Sequence, residues 1–268
     1  MTEIDALADT VLGALDAGRQ IPPLTGRDGG LSMARAYEVS AAVTAARVAR
    51  GARVVGRKIG FTNATIWEEY GVSAPIVGPM YDRTVQPLAP AFALDGLLEP
   101  RIEPEIAFRM SAAPVPGMGP RELLGCIGAV CAGFEIVQSL YPGWRFAAAD
   151  TVAAFGLHGA FLHGPFQAVA QGTEDDWTFR LAGFETVLSK GGGVADVGHA
   201  RNVLGGGPLV ALAHLVRLAA EEPGVAPVAA GEIITTGTLT RALPVAPGET
   251  WHAGFGTLGL PPIEVRFA

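Results

Sequence analysis

Glycine and proline interrupt this chain along its whole length. There are 36 glycines and 20 prolines among 268 residues, and they follow no fixed repeat. Because both residues favour turns and break regular elements, this frequency favours short strands over a helical bundle. The missing repeat excludes collagen and solenoid architectures. Apolar residues make up 49% of the chain, enough to bury a substantial core, which excludes intrinsic disorder.

The first 50 residues carry helical patterns instead. Apolar residues recur at helical spacing from Ile4 to Leu15. Ser32 is suited to cap a second helix that runs to Arg50. We therefore predict a helical N-terminal segment over residues 1–50.

Strand patterns dominate residues 51–268. The predicted strands are 53–60, 101–110, 134–139, 159–162, 178–188, 193–197, 232–236, 243–245, 250–255 and 263–267. The predicted helices are 64–70, 120–131 and 208–221. Helices followed mostly by strands indicate an α+β fold, and no linker separates two domains. We predict a single domain over residues 1–268, with a β-rich catalytic core at 51–268.

Charge and cysteine usage narrow the cellular context. The formal net charge is −7, and no cluster of Lys and Arg forms a basic stripe, so we expect no nucleic-acid partner. The acidic start of the chain and the lack of a long apolar run predict neither a signal peptide nor a membrane span. Cys126 and Cys131 lie in an apolar stretch, which favours buried, reduced thiols and a cytoplasmic protein.

Two glutamates share one predicted strand. Residues i and i+2 of a strand point to the same face, so Glu103 and Glu105 lie side by side, roughly 6–7 Å apart at Cα. Two such carboxylates repel unless a cation lies between them. The alternative is a solvated strand face that carries two acids.

A third glutamate favours a metal. Glu135 is the only charged residue in the apolar run 127–138, so its carboxylate must be protonated, paired or metal-bound. Three carboxylates form an all-oxygen site that suits Mg²⁺, Mn²⁺ or Ca²⁺ rather than zinc. A divalent cation leaves this set with a net charge of −1, and Lys58 is the natural second cation. For Lys58 the alternative is a lysine that extends from its strand end into solvent.

Several motifs together resemble a known family. They are Gly56-Arg-Lys-Ile-Gly-Phe-Thr62, Glu103-Pro-Glu-Ile-Ala-Phe108, Gly133-Phe-Glu-Ile-Val137, Val203-Leu-Gly205 with Pro208 and the apolar helix after it, and Gly231-Glu-Ile-Ile-Thr-Thr-Gly-Thr-Leu-Thr240. In this order they resemble the 2-keto-4-pentenoate hydratase and 4-oxalocrotonate decarboxylase branch of the fumarylacetoacetate hydrolase superfamily. The resemblance covers nearly the whole chain from about residue 30.

The resemblance implies a fold and a metal site. The fold is a mixed β-sandwich roll with peripheral helices, in a homo-oligomer that works alone or with a related decarboxylase or hydratase. Mg²⁺ or Mn²⁺ is held by Glu103, Glu105 and Glu135, and Lys58 stabilises negative charge on the substrate. The implied substrate-binding residues are Thr62, Gln138, Thr236, Gly237 and Thr238.

The resemblance also implies the chemistry. Family substrates are 2-oxo or 2-hydroxydienoic acids from the breakdown of aromatic compounds, chelated through the C1 carboxylate and the C2 oxygen. A Lewis acid there stabilises an enolate, which permits either addition of water at C4 or loss of a carboxylate. We predict a hydratase, with a 4-oxalocrotonate-type decarboxylase or a non-catalytic 2-oxo-acid-binding or scaffold homologue as alternatives.

The proton-handling positions depart from the family. Ile76 stands where family hydratases often carry an aspartate, Ala153 and Ala154 replace serines, and Gln138 replaces another aspartate. The remaining candidates for proton transfer are Glu68, Glu69, Asp150 and His158. For Asp150 the alternative is a capping role, and for His158 a structural turn. All five histidines lie beyond residue 157, so the early His–Glu dyad of the hydrolase branch is missing and C–C bond hydrolysis is disfavoured.

Overall fold

A computed structural model describes residues 2–64, 67–70 and 72–268, with side chains for all of these except Glu69 and Tyr70. The helices are α1 (Glu3–Asp16), α2 (Met33–Ala49), α3 (Trp67–Tyr70), α4 (Pro120–Gly125), α5 (Ala148–Ala153), α6 (Glu174–Ala182) and α7 (Pro208–Glu221). The strands are β1 (Val54–Gly60), β2 (Ile76–Tyr81), β3 (Val85–Pro87), β4 (Ala91–Phe92), β5 (Arg101–Met110), β6 (Ile127–Val137), β7 (His158–His163), β8 (Gln167–Ala168), β9 (Glu185–Lys190), β10 (Gly193–His199), β11 (Ile233–Thr235), β12 (Leu243–Pro244), β13 (Thr250–Gly254) and β14 (Ile263–Phe267).

The N-terminal segment is helical, as predicted. Thr2 and Asp5 form a capping box at the start of α1, and the Ser32 hydroxyl accepts a hydrogen bond from the Arg35 backbone N–H at the start of α2. The apolar face of α1 packs against α2, and α2 in turn packs against α5. These contacts join the N-terminal helices to the core of the strands.

Two sheets make up the strand part of the described chain. The larger sheet has the order β2-β1-β11-β5-β6-β7-β3, with β12 paired to β5 and β8 paired to β6. The smaller sheet has the order β10-β9-β13-β14-β4. Strands β1 and β11 are parallel, whereas the neighbouring pairs β11–β5, β5–β6 and β6–β7 are antiparallel. The predicted α+β class with a mixed sheet is confirmed.

Three predicted elements are wrong in part. The helix predicted for 120–131 ends at Gly125, and β6 begins at Ile127, well before the strand predicted at 134. The long antiparallel pairing with β5 satisfies the backbone of this apolar run, and this tertiary contact overrides the local helical pattern. The strand predicted for 178–188 begins at Glu185, because α6 occupies its first half.

The sequence of α6 explains why residues 178–182 form a helix instead of the predicted strand. Trp177 and Leu181 lie one helical turn apart and are both buried, while three acidic residues occupy the first turn and favour the helix N-terminus. Elsewhere, α7 and β14 match their predicted bounds. The predicted helix at 64–70 is described only as α3, since part of it and its expected end at Gly71 lie outside the described residues.

The two cysteines lie in the interior, as predicted. Cys126 and Cys131 are free and buried. A search of the described residues for a helix that is long and apolar enough to cross a membrane finds none.

Candidate metal centre

The register of two neighbouring strands brings the three glutamates together. Strands β5 and β6 pair so that Glu103 lies directly opposite Glu135, while Glu105 follows on the same face of β5. One carboxylate oxygen from each of the three residues lies within 4.8 Å of the others. Glu105 and Glu135 are fully buried, and Glu103 is partly exposed. The predicted carboxylate cluster is therefore present as a single site.

Lys58 supplies positive charge to this cluster. It lies on β1, which is joined to β5 through β11, and its Nζ is 3.0 Å from Glu135 Oε2. Burial lowers the pKa of Lys58, but the charges of the three carboxylates outweigh burial and raise its pKa above the ordinary 10.5. The lysine is therefore a buried ammonium group, and the alternative of a lysine extended into solvent does not hold.

The three carboxyl groups have different proton affinities. Burial raises the pKa of Glu135, but Lys58 and a hydrogen bond from His158 outweigh burial and hold it at about 2. Burial raises the pKa of Glu103 to about 7, with Lys58 opposing the shift and Glu135 adding to it. Burial and the neighbouring carboxylates also raise the pKa of Glu105 well above its ordinary value. One cation, Lys58, compensates one carboxylate and leaves two that are costly to ionise.

His158 forms a hydrogen bond with Glu135. Its Nδ1 lies 2.8 Å from Glu135 Oε1, and its Nε2 lies 2.9 Å from Thr84 Oγ1. Burial lowers the pKa of His158, so the ring is neutral. Since a carboxylate only accepts hydrogen bonds, Nδ1 carries the proton and donates it to Glu135. His158 thus orients a candidate metal ligand, as the partners of ligating groups commonly do.

Glu105 is held by a glycine turn and keeps one oxygen free. The Gly237 backbone N–H donates to Glu105 Oε2 at 2.8 Å. Glu105 Oε1 is buried, and within the described residues it has no hydrogen-bond partner. A buried carboxylate oxygen without a partner is unfavourable unless a cation completes it. This orphaned oxygen, inside an all-oxygen cluster, fits a hard divalent cation.

A cleft opens onto the cluster. It encloses about 530 Å³ of space not occupied by atoms, part of it open to solvent. Its polar lining is Lys58, Glu103, Glu105, Gly237, Thr238 and Thr151. The rest is mainly apolar and includes Phe61, Ile76, Trp144, Phe146, Leu157 and Ala242.

Three predicted substrate-binding side chains are engaged elsewhere or lie outside this lining. The Thr236 hydroxyl donates to the Ile106 carbonyl, and Gln138 Oε1 accepts from the Leu98 backbone N–H. Thr62 is buried next to Gly237 and does not line the cleft.

The candidates for proton transfer also lie away from the cleft lining. Glu68 is exposed on α3, and the side chain of Glu69 is outside the described part of the chain. Asp150 accepts hydrogen bonds from the Thr25 hydroxyl and backbone N–H and from the Ala147 backbone N–H. These contacts favour the capping alternative for Asp150. His158 contacts the cluster only through Glu135.

The sequence analysis did not identify Thr84 or the aromatic cleft residues. Thr84 lies 74 positions from His158, and only the parallel pairing of β3 with β7 brings the two together. Phe61, Trp144 and Phe146 lie in loops, where no periodic pattern indicates which way a side chain points. The glycines and prolines around them gave the only signal, which was that loops are present.

Proton competition predicts a pH dependence of metal binding. A carboxyl with a folded pKa of about 7, against an ordinary 4.5, keeps its proton longer in the folded state, so metal-free stability falls as pH rises between these values. Mg²⁺ must displace that proton at pH 6 but rarely at pH 8. We expect a larger Mg²⁺-induced rise in Tm at pH 8 than at pH 6, measured by calorimetry. The pH difference should shrink in Glu103→Gln, and an equal rise at both pH values would contradict the assignment.

The glycine turn predicts a second test. A Cβ on Gly237, where φ is +92°, would lie 1.7 Å from Thr62 Oγ1, so Gly237→Ala must displace the N–H that holds Glu105. Gly231 has a similar φ of +89° with open space around it, so Gly231→Ala carries only the backbone strain. We expect Gly237→Ala to lose most of the Mg²⁺-induced rise in Tm and Gly231→Ala to keep it. Equal retention in both variants would show that the turn does not position Glu105.

The contacts of Asp150 predict a structural phenotype. Asp150→Ala leaves the Thr25 and Ala147 donors without their acceptor, so we expect the free energy of unfolding in urea to fall by about 2–4 kcal/mol. Asp175→Ala, which removes an exposed ion pair with Arg121, should cost less than about 1 kcal/mol. Unchanged stability together with lost turnover in Asp150→Ala would instead assign the residue a role in the reaction.

Comparison with known proteins supports the family resemblance. No protein-family model matches the chain. It is 31% identical to the 4-oxalocrotonate decarboxylase of Pseudomonas sp. (strain CF600) over 267 residues, covering 99% of this chain and 97% of that one. It is 31% identical to the 2-hydroxyhexa-2,4-dienoate hydratase of Comamonas testosteroni over 263 residues, 96% of each chain.

The fold comparison agrees. The solved structure of 4-oxalocrotonate decarboxylase from Pseudomonas putida G7, complexed with magnesium and adipate, matches with a TM-score of 0.89 at 29% identity, covering 100% of this chain and 99% of that one. The predicted fold type is confirmed. On this identity over nearly its full length, the chain belongs to the 2-keto-4-pentenoate hydratase and 4-oxalocrotonate decarboxylase branch of the fumarylacetoacetate hydrolase superfamily that its motifs resemble.

Proposed function

We propose that this protein is a divalent-metal-dependent lyase that adds water to a 2-oxo or 2-hydroxydienoic acid. The observation that carries the proposal is the cluster of Glu103, Glu105 and Glu135 beside the buried ammonium of Lys58, at the base of a cleft. Its hydratase and decarboxylase relatives, one of them complexed with magnesium, support the same chemistry.

The three carboxylates would hold the cation. Glu105 Oε1, buried without a hydrogen-bond partner among the described residues, is the clearest free ligand atom. When bound, Mg²⁺ or Mn²⁺ would supply a Lewis acid for the carboxylate and 2-oxygen of the substrate. His158 and the Gly237 N–H fix two of the carboxylates, so the protein need not reorganise when the cation enters.

Lys58 would stabilise negative charge as it develops on the substrate. Its ammonium lines the cleft and is held by Glu135 on one side, which leaves other N–H directions available to a ligand. In a buried site this charge acts more strongly than it would in water. We propose that Lys58 favours the electron-rich form of the conjugated chain, which then accepts a proton.

The turn of Thr236, Gly237 and Thr238 would act through Glu105. The Gly237 N–H donates to Glu105, and the two threonine hydroxyls donate to backbone carbonyls. These donors are committed within the protein. We therefore propose that the turn positions a metal ligand, and through it the carboxylate end of the substrate.

Decarboxylation is the second candidate. Apart from Lys58 and the proposed metal ligands, the described residues that line the cleft include no acid or base, and Ile76 occupies the position of the family aspartate. Hydration needs a group that activates water, whereas loss of CO₂ needs mainly an electron sink. This feature favours decarboxylation over hydration for a substrate that carries a suitably placed carboxylate.

We keep two further predictions from the sequence. The first is a homo-oligomer, alone or with a related decarboxylase or hydratase. The second is a cytoplasmic location.

The test is metal-dependent turnover. With Mg²⁺ or Mn²⁺ added, we expect loss of the ultraviolet absorbance of 2-hydroxypenta-2,4-dienoate, without release of CO₂. Lys58→Met should lower kcat by about 100-fold or more, because it removes the charge that stabilises the reacting anion. Lys190, the other lysine of the chain, forms an exposed ion pair with Glu249, so Lys190→Met is the matched control and should keep full activity.

Variants of the proposed metal ligands provide an independent test. Glu105→Ala should abolish the metal-dependent rate, while Glu264→Ala, at an exposed position of β14, should not. Release of CO₂ from 4-oxalocrotonate without loss of the dienoate would assign the second candidate. Binding of oxalate with no turnover of either compound would identify a non-catalytic 2-oxo-acid-binding protein, and an unchanged rate in Glu105→Ala would refute the metal assignment.

A further inference from the structure

The side-chain donors that line the cleft are already engaged within the protein. A carboxylate at the tail of a substrate would need free donors, from side chains or the backbone, or a cation, to replace its lost hydration. The engaged donors and their acceptors are Thr151 Oγ1 to the Ala148 carbonyl at 2.7 Å, Thr238 Oγ1 to the Thr240 carbonyl at 2.9 Å, Trp144 Nε1 to the Glu99 carbonyl at 3.1 Å and Lys58 Nζ to Glu135 at 3.0 Å. Only Lys58 keeps spare N–H groups, and it lies at the metal end.

Aromatic side chains form much of the remaining lining. Phe146 is at their centre, with its ring centroid 6.4 Å from that of Phe61 and 6.2 Å from those of Trp144 and Tyr141. Phe61, Trp144 and Phe146 all line the cleft, together with Ile76. Such a surface gains free energy by covering an apolar group and offers nothing to a charged one.

In the described part of the chain, one cation lines the cleft, and a second, Arg101, lies against a lining residue. Lys58 is the single Lys, Arg or His among the described residues that line the cleft. The positions without a described side chain, which are Met1, Thr65, Ile66, Glu69, Tyr70 and Gly71, add none. The guanidinium of Arg101 lies 4.2 Å from the Trp144 ring centroid, stacked on an aromatic side chain that lines the cleft. Arg101 is therefore the cation to test.

We propose that the cleft selects a 2-oxo acid with an uncharged, hydrocarbon tail and discriminates against a tail that ends in a second carboxylate. This inference rests on the proposed function, which places the 2-oxo acid end at the carboxylate cluster. It also bears on the reaction, because a substrate without a second carboxylate has no group to lose as CO₂ from its tail. Of the two proposed reactions, such a substrate permits only the addition of water.

Matched, unreactive ligands test the tail separately from the metal end. Pyruvate reports the 2-oxo acid end alone, 2-oxohexanoate adds a hydrocarbon tail, and 2-oxoadipate ends a chain of the same length in a carboxylate. With Mg²⁺ present, we expect calorimetry to show 2-oxohexanoate binding at least about 10-fold more tightly than both pyruvate and 2-oxoadipate.

Phe146 is the side chain to vary. Phe146→Ala should reduce the advantage of 2-oxohexanoate over pyruvate at least about fivefold, with the affinity for pyruvate unchanged. Phe179→Ala is the control, since Phe179 lies on α6 with 81% of its surface exposed. Phe146→Leu keeps apolar volume, and it replaces the alanine variant if circular dichroism shows that the latter is unfolded.

The outcomes separate this inference from the proposed function. If pyruvate and 2-oxohexanoate both fail to bind with Mg²⁺, the proposed function is overturned and the inference with it. If pyruvate binds but 2-oxoadipate binds as tightly as 2-oxohexanoate, only the tail assignment is overturned. If Arg101→Gln then lost its affinity for 2-oxoadipate, Arg101 would be the cation that binds the second carboxylate.

Discussion

The repulsion among three neighbouring carboxylates, two of them fully buried and one compensated by the buried ammonium group of Lys58, is the constraint on which this site depends. Lys58 compensates Glu135, while Glu103 and Glu105 remain costly to ionise. Carboxyl groups whose pKa values are shifted in this way cluster at functional sites. A divalent cation removes the conflict, because it completes the charge balance and the orphaned oxygen of Glu105.

The sheet makes this concentration of charge possible. Neighbouring strands β1, β11, β5 and β6 carry the lysine, the glycine turn and the three glutamates, so the site is built on paired backbone rather than on mobile loops. Hydrogen bonds then orient the candidate ligands. His158, which contacts Thr84, donates to Glu135, and the Gly237 N–H donates to Glu105. Groups held in this way need little rearrangement to bind a cation.

The part of the cleft beyond the cluster has a different character. Ile76 and the aromatic side chains around Phe146 give it a mainly apolar lining. The site therefore has a charged end at the carboxylate cluster and an apolar end beyond it. Relatives named for different substrates are each 31% identical to this chain over nearly its full length, which agrees with substrate choice being set by the cleft lining.

Sequence alone determined the α+β class, the helical N-terminus and the carboxylate cluster, because strand alternation places Glu103 beside Glu105 and an apolar run makes Glu135 conspicuous. The sequence could not determine which residues that are distant along the chain contact each other in the folded protein. The pairing of β6 with β5 makes a strand of a segment whose local pattern predicts a helix. Asp150 accepts a hydrogen bond from Thr25, and His158 contacts Thr84, which lies 74 positions earlier in the chain. Such contacts depend on strand register and loop paths, which arise from the packing of the whole chain rather than from neighbouring residues.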